Sequence, residues 1–507
     1  MLDDLLDPSA YPHAVQSPVH HLQTHISHVF LTGRFAYKIK KPVNLGFLDY
    51  SALEQRQRSC QRDVALIRQF APHLSSDAVP VRVASGRHTL DPDSTGEIVD
   101  YAVKMNQFRE DDVLLKVFER GKLTENDVIE LAHQLARTHT DATTSEAVAA
   151  YGKPEAIRAM AAENLDIVRP FIGRGISSET FDRVESLTHA FFDAHRERFT
   201  RRMKSGRIRE CHGDLHLNNI CRYEGHLQFF DRIEFNEKYM NIDVIYDLAF
   251  LLMDIGFRGR PDLATILLNE YMEQTGDYEG ATLLPVYLSM RAFIRGEVQS
   301  LLSAEDEVEA EQRERAAAEA TRYFDHALDA LTRSDARLML VGGVSGSGKS
   351  YLARRLAPAL NAMHIRSDAV RKHLAGVPLT ERGQRIYTEA HTDETYRALI
   401  RLAADLVSEG FPVILDATWL ESSRRSQALI DGIPSAIVFC RASEDELASR
   451  IAGRHGDVSD ATADVMREQL NRVEPPGDDE ADVVLSVDTM KPGTLETVLA
   501  ALTRPAR

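Results

Sequence analysis

The run Gly343-Val344-Ser345-Gly346-Ser347-Gly348-Lys349-Ser350 narrows the folds open to this chain more than any other part of it. Ahead of it, Leu338-Met339-Leu340-Val341 has the apolar density of a short buried strand; behind it, Lys349 to Leu360 reads as a helix. Glycine lets a backbone curl so that consecutive N–H groups point inward, and a helix starting at such a turn adds the positive end of its dipole. The result is a cradle for a phosphate chain. At this spacing Lys349 reaches the β- and γ-phosphates of ATP and Ser350 holds Mg2+. The bland alternative is a tight glycine turn without a ligand, and the flanking strand and helix speak against it.

Further apolar runs follow at 363–365, 412–415, 436–439 and 483–487, separated by helical sequence. That alternation is the pattern of an α/β domain on a parallel sheet. Ligands of such open sheets sit at the carboxyl ends of strands. Two runs end in suitable chemistry there, Ile365-Arg366-Ser367-Asp368 and Ile414-Leu415-Asp416-Ala417-Thr418. A carboxylate so placed orders Mg2+, the task given to Asp416, or takes a proton from a hydroxyl acceptor. Taken singly, each Asp also suits a helix N-cap. Arg450 and Arg454 lie one turn apart on a helix face. They either close over ATP and neutralise charge on the transferred group, or form a solvated basic face.

Together the glycine loop, Ser367-Asp368-Ala369-Val370-Arg371, Asp416-Ala417-Thr418 and the Arg450/Arg454 segment resemble the small-molecule and polynucleotide kinase group of P-loop proteins. That group includes gluconate-kinase-like, zeta-toxin-like and 5′-hydroxyl polynucleotide-kinase-like enzymes. The likeness runs from about Leu338 to the C-terminus. It implies Asp368 as the base on an acceptor hydroxyl, with Arg371 and Thr418 beside the acceptor. Lys349, Arg450 and Arg454 would serve the transferred phosphate, and Gly343, Ser345, Gly346, Ser347, Gly348, Lys349 and Ser350 would surround ATP.

At 507 residues the chain is too long for one core, and its character changes near Ser334. The first hundred residues read as strand-rich. Val29-Phe30-Leu31, a Thr32-Gly33-Arg34 turn and Phe35 to Ile39 suggest a hairpin, and Ile98 to Met105 a further strand. Ser51 to Phe70 has helical character. Helices take over from about Lys122, at 125–139, 154–168 and 179–199, and return from Asp243 to about Leu331. The last stretch, Glu305 to Leu331, is rich in Ala, Glu and Arg and reads as a solvated helix bridging two domains.

A polar segment interrupts those helices: Cys211-His212-Gly213-Asp214-Leu215-His216-Leu217-Asn218-Asn219-Ile220, then Phe229-Phe230-Asp231. Phosphoryl transfer to a hydroxyl needs one carboxylate near the acceptor and separate oxygen ligands for Mg2+. An Asp, an Asn five residues on and a further Asp after an apolar strand is the protein-kinase arrangement of those groups. Asp214 is then the base, Asn219 and Asp231 bind the metal, and His212 braces the loop. A polar loop whose Asp and Asn cap turns is the alternative. Phe35-Ala36-Tyr37-Lys38 matches the Val-Ala-x-Lys pattern of an ATP-anchoring strand. Lys40 shares the face of Lys38 and is a rival anchor, and Asp63 on the next helix suits either lysine. No glycine-rich loop precedes this strand.

This half resembles the aminoglycoside-phosphotransferase-like branch of the kinase fold over about His20 to Ala330, a likeness strengthened by Asp243-Val244-Ile245-Tyr246-Asp247-Leu248-Ala249. Glu234 falls near the metal position that the resemblance implies. The expected fold is an α+β kinase-like domain over 1–333, with an N-lobe at about 20–106 and a C-lobe at about 107–333, followed by an α/β P-loop domain with a parallel sheet over 334–507. The order of the halves resembles a family of bacterial fusions of a phosphotransferase with a P-loop ATPase.

Composition limits the partners. Sixty Lys and Arg against 77 Asp and Glu give a net charge of -17, which argues against sequence-blind coating of nucleic acid but leaves room for a local basic groove. The four cysteines, Cys60, Cys211, Cys221 and Cys440, are scattered, so no disulfide framework or structural metal is expected. An acidic start without an apolar core segment, and no run long enough to span a bilayer, point to a cytoplasmic protein without a membrane partner. The expected activity is a two-module, ATP- and Mg2+-dependent transfer of phosphate to hydroxyl groups of small molecules or nucleic-acid ends. A nucleotide-gated binding protein that phosphorylates no acceptor is the alternative.

Overall fold

The structure is a computed structural model that describes residues 1–507 except 25, 45–47, 334, 382–385, 454–457, 490 and 503–507. Strands β1 (His20–Gln23), β2 (Ser27–Leu31), β3 (Phe35–Lys40), β4 (Ser76–Ala84), β5 (Arg87–Thr89) and β6 (Glu97–Asn106) form one antiparallel sheet in the order β1-β2-β3-β6-β4-β5. The period of two along β3 decides what each face does. Tyr37 and Ile39 enter a core with Phe30, Val81 and Ala102, into which Leu5, Ala10 and Tyr11 of the N-terminal segment also pack. The opposite face buries Ala36 and Lys40. The helix Leu53–Phe70 lays Cys60 and Val64 against Val103 of β6.

The polar segment of the sequence runs through two small antiparallel strand pairs. β7 (Ile208–Glu210) pairs antiparallel with β10 (Asn241–Asp243), and β8 (Ile220–Tyr223) with β9 (His226–Phe229). Helices Glu125–Asp141, Pro154–Val168, Ser178–Lys204, Val244–Phe257, Pro261–Thr275 and Leu284–Ala304 fall where the periodicity places them. The expected solvated bridge at Glu305 to Leu331 is corrected. A break after Ala304 precedes the helix Ala310–Leu331, which buries Ala316, Ala320, Tyr323, Phe324 and Ala327. Phe324 packs on Phe293 of Leu284–Ala304, with ring centroids 4.8 Å apart, where Gly296 leaves room for it. A narrow stripe of alanines and two aromatics was enough to build a helical hairpin, and the surrounding charge hid it.

β11 (Arg337–Gly342), β12 (Met363–Arg366), β13 (Pro412–Asp416), β14 (Ser435–Arg441) and β15 (Val483–Asp488) make a parallel sheet in the order β12-β13-β11-β14-β15. Leu352 and Leu356 of the helix Lys349–Leu360 pack on Met339, Val341, Ile414 and Val438 of this sheet. Crossover helices bring every strand out at the same edge, so the glycine loop, Asp368 and Asp416 all lie at carboxyl strand ends.

The chain divides into two compact units. One comprises Met1–Thr124, Asp141–Ile157 and Arg196–Leu251; the other comprises Glu125–Thr140, Arg158–His195 and Leu252–Arg507. The helices beyond Leu252 therefore share a unit with the parallel sheet. Among the described residues no helix is long and apolar enough to cross a membrane.

Candidate phosphoryl-transfer sites

In the first unit a buried carboxylate sets the shape of the catalytic-type loop. Asp247, in the first turn of Val244–Phe257, is fully buried and accepts the backbone N–H groups of His212 at 3.0 Å and Gly213 at 2.9 Å. Gly213 has φ +85, and a Cβ there would stand 2.5 Å from Tyr239 O, so glycine is required. His212 Nε2–H donates to Phe230 O at 2.9 Å, and its Nδ1 accepts the Asp214 N–H at 3.3 Å. Burial pushes its pKa down despite nearby Asp247 and Asp214, which keeps the ring neutral. His212 thus braces the loop against the strand end that carries Asp231.

The groups read as catalytic come together here. Asn219 Nδ2 donates to both the carbonyl and Oδ2 of Asp214, each at 2.9 Å. Asp231, half-exposed and with φ +58, pairs with Lys38 Nζ at 2.7 Å. Lys38 pulls the Asp231 carboxyl below the usual range, and Asp214 is near enough to oppose that shift. Asp214, Asn219, Asp231 and Lys38 therefore share one site. Asp247 was visible in the sequence only as part of a helix start.

The two lysines of β3 part company. Lys40 is fully buried and paired with both Asp63, at 2.8 Å, and Glu234. Burial works against its charge, and the two carboxylates outweigh that, so its pKa stands well above normal. Glu234 is thereby engaged with Lys40 and not with Asp231's oxygen set. Lys38 keeps 16% of its side chain exposed and faces Asp231.

In the second unit Gly343 N–H donates to Thr418 O at 2.9 Å, which ties the glycine loop to the end of β13. Gly348 has φ +84, and a Cβ on it would lie 2.8 Å from Thr489 Oγ1 and 3.2 Å from Arg450 Nη1. Ser345 N–H donates to Gln469 Oε1 at 2.7 Å. Ser347 Oγ is buried with no hydrogen-bond partner among the described residues. Lys349 and Ser350 open the helix half-buried. Arg450 donates to Gly346 O at 3.2 Å, Thr489 Oγ1 at 3.0 Å and Glu446 Oε1 at 2.8 Å, bracing the loop. Arg454 lies outside the described residues.

Asp416 ends β13 beside Val341 of β11. Burial raises its pKa, but the hydrogen bond and charge of His364, with Lys349 and Arg366, outweigh this and hold it at about 2. His364 Nε2 is 3.2 Å away and Arg366 Nε 3.8 Å. Asp368 is half-buried in the first turn of Ser367–Leu374, whose N-cap is Arg366, so Asp368 is not the cap. Arg371 donates to Thr392 Oγ1 at 3.0 Å and lies over the Tyr387 ring at 4.9 Å. Tyr387 is close enough to Asp368 to feel its charge. Thr418 Oγ1 and Tyr396 OH share a hydrogen bond of 2.9 Å. Tyr387 and Tyr396 carried no sequence signal, because a single aromatic outside any motif does not name the residue it will meet. A curled loop with a lysine, a buried orphan hydroxyl and an ionised carboxylate fits a nucleotide phosphate chain with its divalent cation.

Residues 50–284 match the family described as the phosphotransferase enzyme family, and residues 338–476 match the AAA domain family. An uncharacterized protein of Mycobacterium tuberculosis is 33% identical over 452 residues, covering 87% of this chain and 88% of the relative. Among solved structures, a gluconokinase from Sinorhizobium meliloti is 25% identical over 34% of this chain and 95% of its own, with a TM-score of 0.26. A choline/ethanolamine kinase family protein from Mesorhizobium loti is 14% identical over 65% of this chain and 99% of its own, with a TM-score of 0.39. The chain belongs to the family of its mycobacterial relatives, and in it a phosphotransferase-family domain of the kinase type precedes an AAA domain with a P-loop.

Proposed function

We propose that the protein is a two-module phosphotransferase, with modules at 1–333 and 334–507, that moves the γ-phosphate of ATP to hydroxyl acceptors. One observation supports this above others: at each site an ionised carboxylate suited to a cation stands beside a lysine suited to phosphate. These pairs are Asp231 with Lys38 and Asp416 with Lys349. ATP supplies the phosphoryl group and Mg2+ screens its charge. In the N-terminal module Asp214 would take the acceptor proton as the new O–P bond forms and the γ-phosphorus bond to the bridging oxygen breaks, releasing ADP; Asn219 and Asp231 would hold the cation, and Lys38 the phosphate. Lys40 is the structural lysine. In the C-terminal module Asp368 takes the proton, Arg371 and Thr418 position the acceptor, Ser350 and Asp416 hold the cation, and the 343–350 loop with Lys349 and Arg450 grips ATP.

The acceptor is a small hydroxyl compound or a nucleic-acid end. Transfer of labelled γ-phosphate to a panel of 5′-hydroxyl RNA and DNA, sugars, nucleosides and aminoglycosides tests this, run with the full chain, Asp214→Ala and Lys349→Ala. A product lost in one variant alone assigns that acceptor to that module. Slow ATP hydrolysis with no labelled acceptor would favour a nucleotide-gated switch instead. The lack of a glycine-rich sequence ahead of Phe35–Lys40 favours that second reading for the N-terminal module.

A further inference from the structure

Asp416 is faced by His364 and Arg366, and both of these are gripped by one helix outside the P-loop segment. Asn269, on Pro261–Thr275, covers the free edge of β12. Its Oδ1 accepts the His364 N–H at 2.8 Å and its Nδ2 donates to Ala362 O at 2.9 Å. One turn on, Glu273 Oε1 accepts from Arg366 Nη1 at 3.0 Å, with both side chains buried. The Glu273 carbonyl also accepts from His373 Nε2 at 2.8 Å, on the helix that carries Asp368. This helix lies inside the phosphotransferase match and outside the AAA match, yet it shares one compact unit with the parallel sheet.

Arg366 therefore stands between two carboxylates, 3.0 Å from Glu273 and 3.8 Å from Asp416. A guanidinium released from Glu273 would fall onto Asp416, and a bidentate Arg–carboxylate pair would cover the oxygens that a cation needs. We propose that Glu273 is a positioning residue for the P-loop site: it holds Arg366 back from Asp416 and so keeps that carboxylate open to a divalent cation. Cation-assisted ATP binding at the C-terminal site then depends on a helix of the phosphotransferase half. The inference rests on the reading that Asp416 orders Mg2+.

The test is binding of a fluorescent ATP analogue to the full chain, with and without Mg2+. An Asp231→Ala background removes the cation response of the other site, and Lys349→Ala supplies the signal to subtract. The readout is the factor by which Mg2+ tightens binding. Glu273→Gln should cut that factor about tenfold while metal-free affinity stays within about twofold, the effect of one lost charge-assisted contact. Glu273→Gln with Arg366→Gln should regain most of it, since the released side chain can no longer clamp Asp416. Full tightening in Glu273→Gln would overturn the proposal. So would a double variant as impaired as the single one, because Glu273 would then be mere scaffolding. Asp416→Asn separates the underlying reading: if it keeps the tightening, Asp416 is not the cation ligand and the inference falls with it.

Discussion

Removing Lys40 would strand Asp63 and Glu234, two buried carboxylates, without their shared cation. Breaking a buried pair from one side typically costs about 3–5 kcal/mol, so Lys40→Ala should lower the unfolding free energy by that amount and move the urea midpoint down. Lys38→Ala removes a partly exposed group facing Asp231, and should leave the midpoint nearly unchanged. If Lys38 holds phosphate, the same change lowers phosphoryl transfer by the N-terminal module on the order of 10²-fold, the usual cost of one preorganised charge contact. Asp416 gives a pH signature of its own. Its folded pKa of about 2 lies below the ordinary 3.8, so its contribution is complete above about pH 4 and fades as pH falls towards 2. That contribution is about 2 kcal/mol, and denaturation of Asp416→Asn between pH 6 and 3 should show a correspondingly flatter loss of stability.

At the scale of elements, the loop that carries Asp214 and Asn219 is shaped by a helix it does not belong to. Asp247 accepts two buried N–H groups, of His212 and Gly213, from the start of Val244–Phe257. Asp247→Ala leaves those donors unpaired, and should cost roughly 2–5 kcal/mol in chemical denaturation. Asp247→Asn keeps one acceptor and should lose about half as much. The glycine loop obeys a steric rule in the same way. Gly348→Ala forces a Cβ into a left-handed turn 2.8 Å from Thr489 Oγ1, and should weaken nucleotide binding at the C-terminal site by about tenfold or more. Equilibrium binding of an ATP analogue, set against Lys349→Ala, measures it.

Considered as a whole molecule, the second unit joins residues far apart in sequence. A fragment of 334–507 loses Asn269 and Glu273, exposing the edge of β12 and removing the Glu273 carboxylate from Arg366. An uncovered edge strand invites pairing with other chains, and a broken buried ion pair is expensive. The fragment should therefore melt roughly 10 °C or more below one of 252–507, and show more aggregation by light scattering.

Much of this protein could be read from its residues alone. The glycine loop, the five parallel strands and the Asp214–Asn219–Asp231 series are short-range patterns, in which residue type and spacing along the chain make the element and the cluster legible. Periodicity also located the main helices, but it failed where Ala310–Leu331 hides a buried stripe among charges. The tertiary structure alone decided which of Lys38 and Lys40 is locked away, since the answer depends on Asp63 and Glu234 arriving from distant segments. It alone brought Tyr387 and Tyr396 to Arg371 and Thr418, and Glu273 to Arg366. Burial and charge pairing are properties of three-dimensional neighbours, so a sequence can nominate such residues, while only the packed chain assigns their partners.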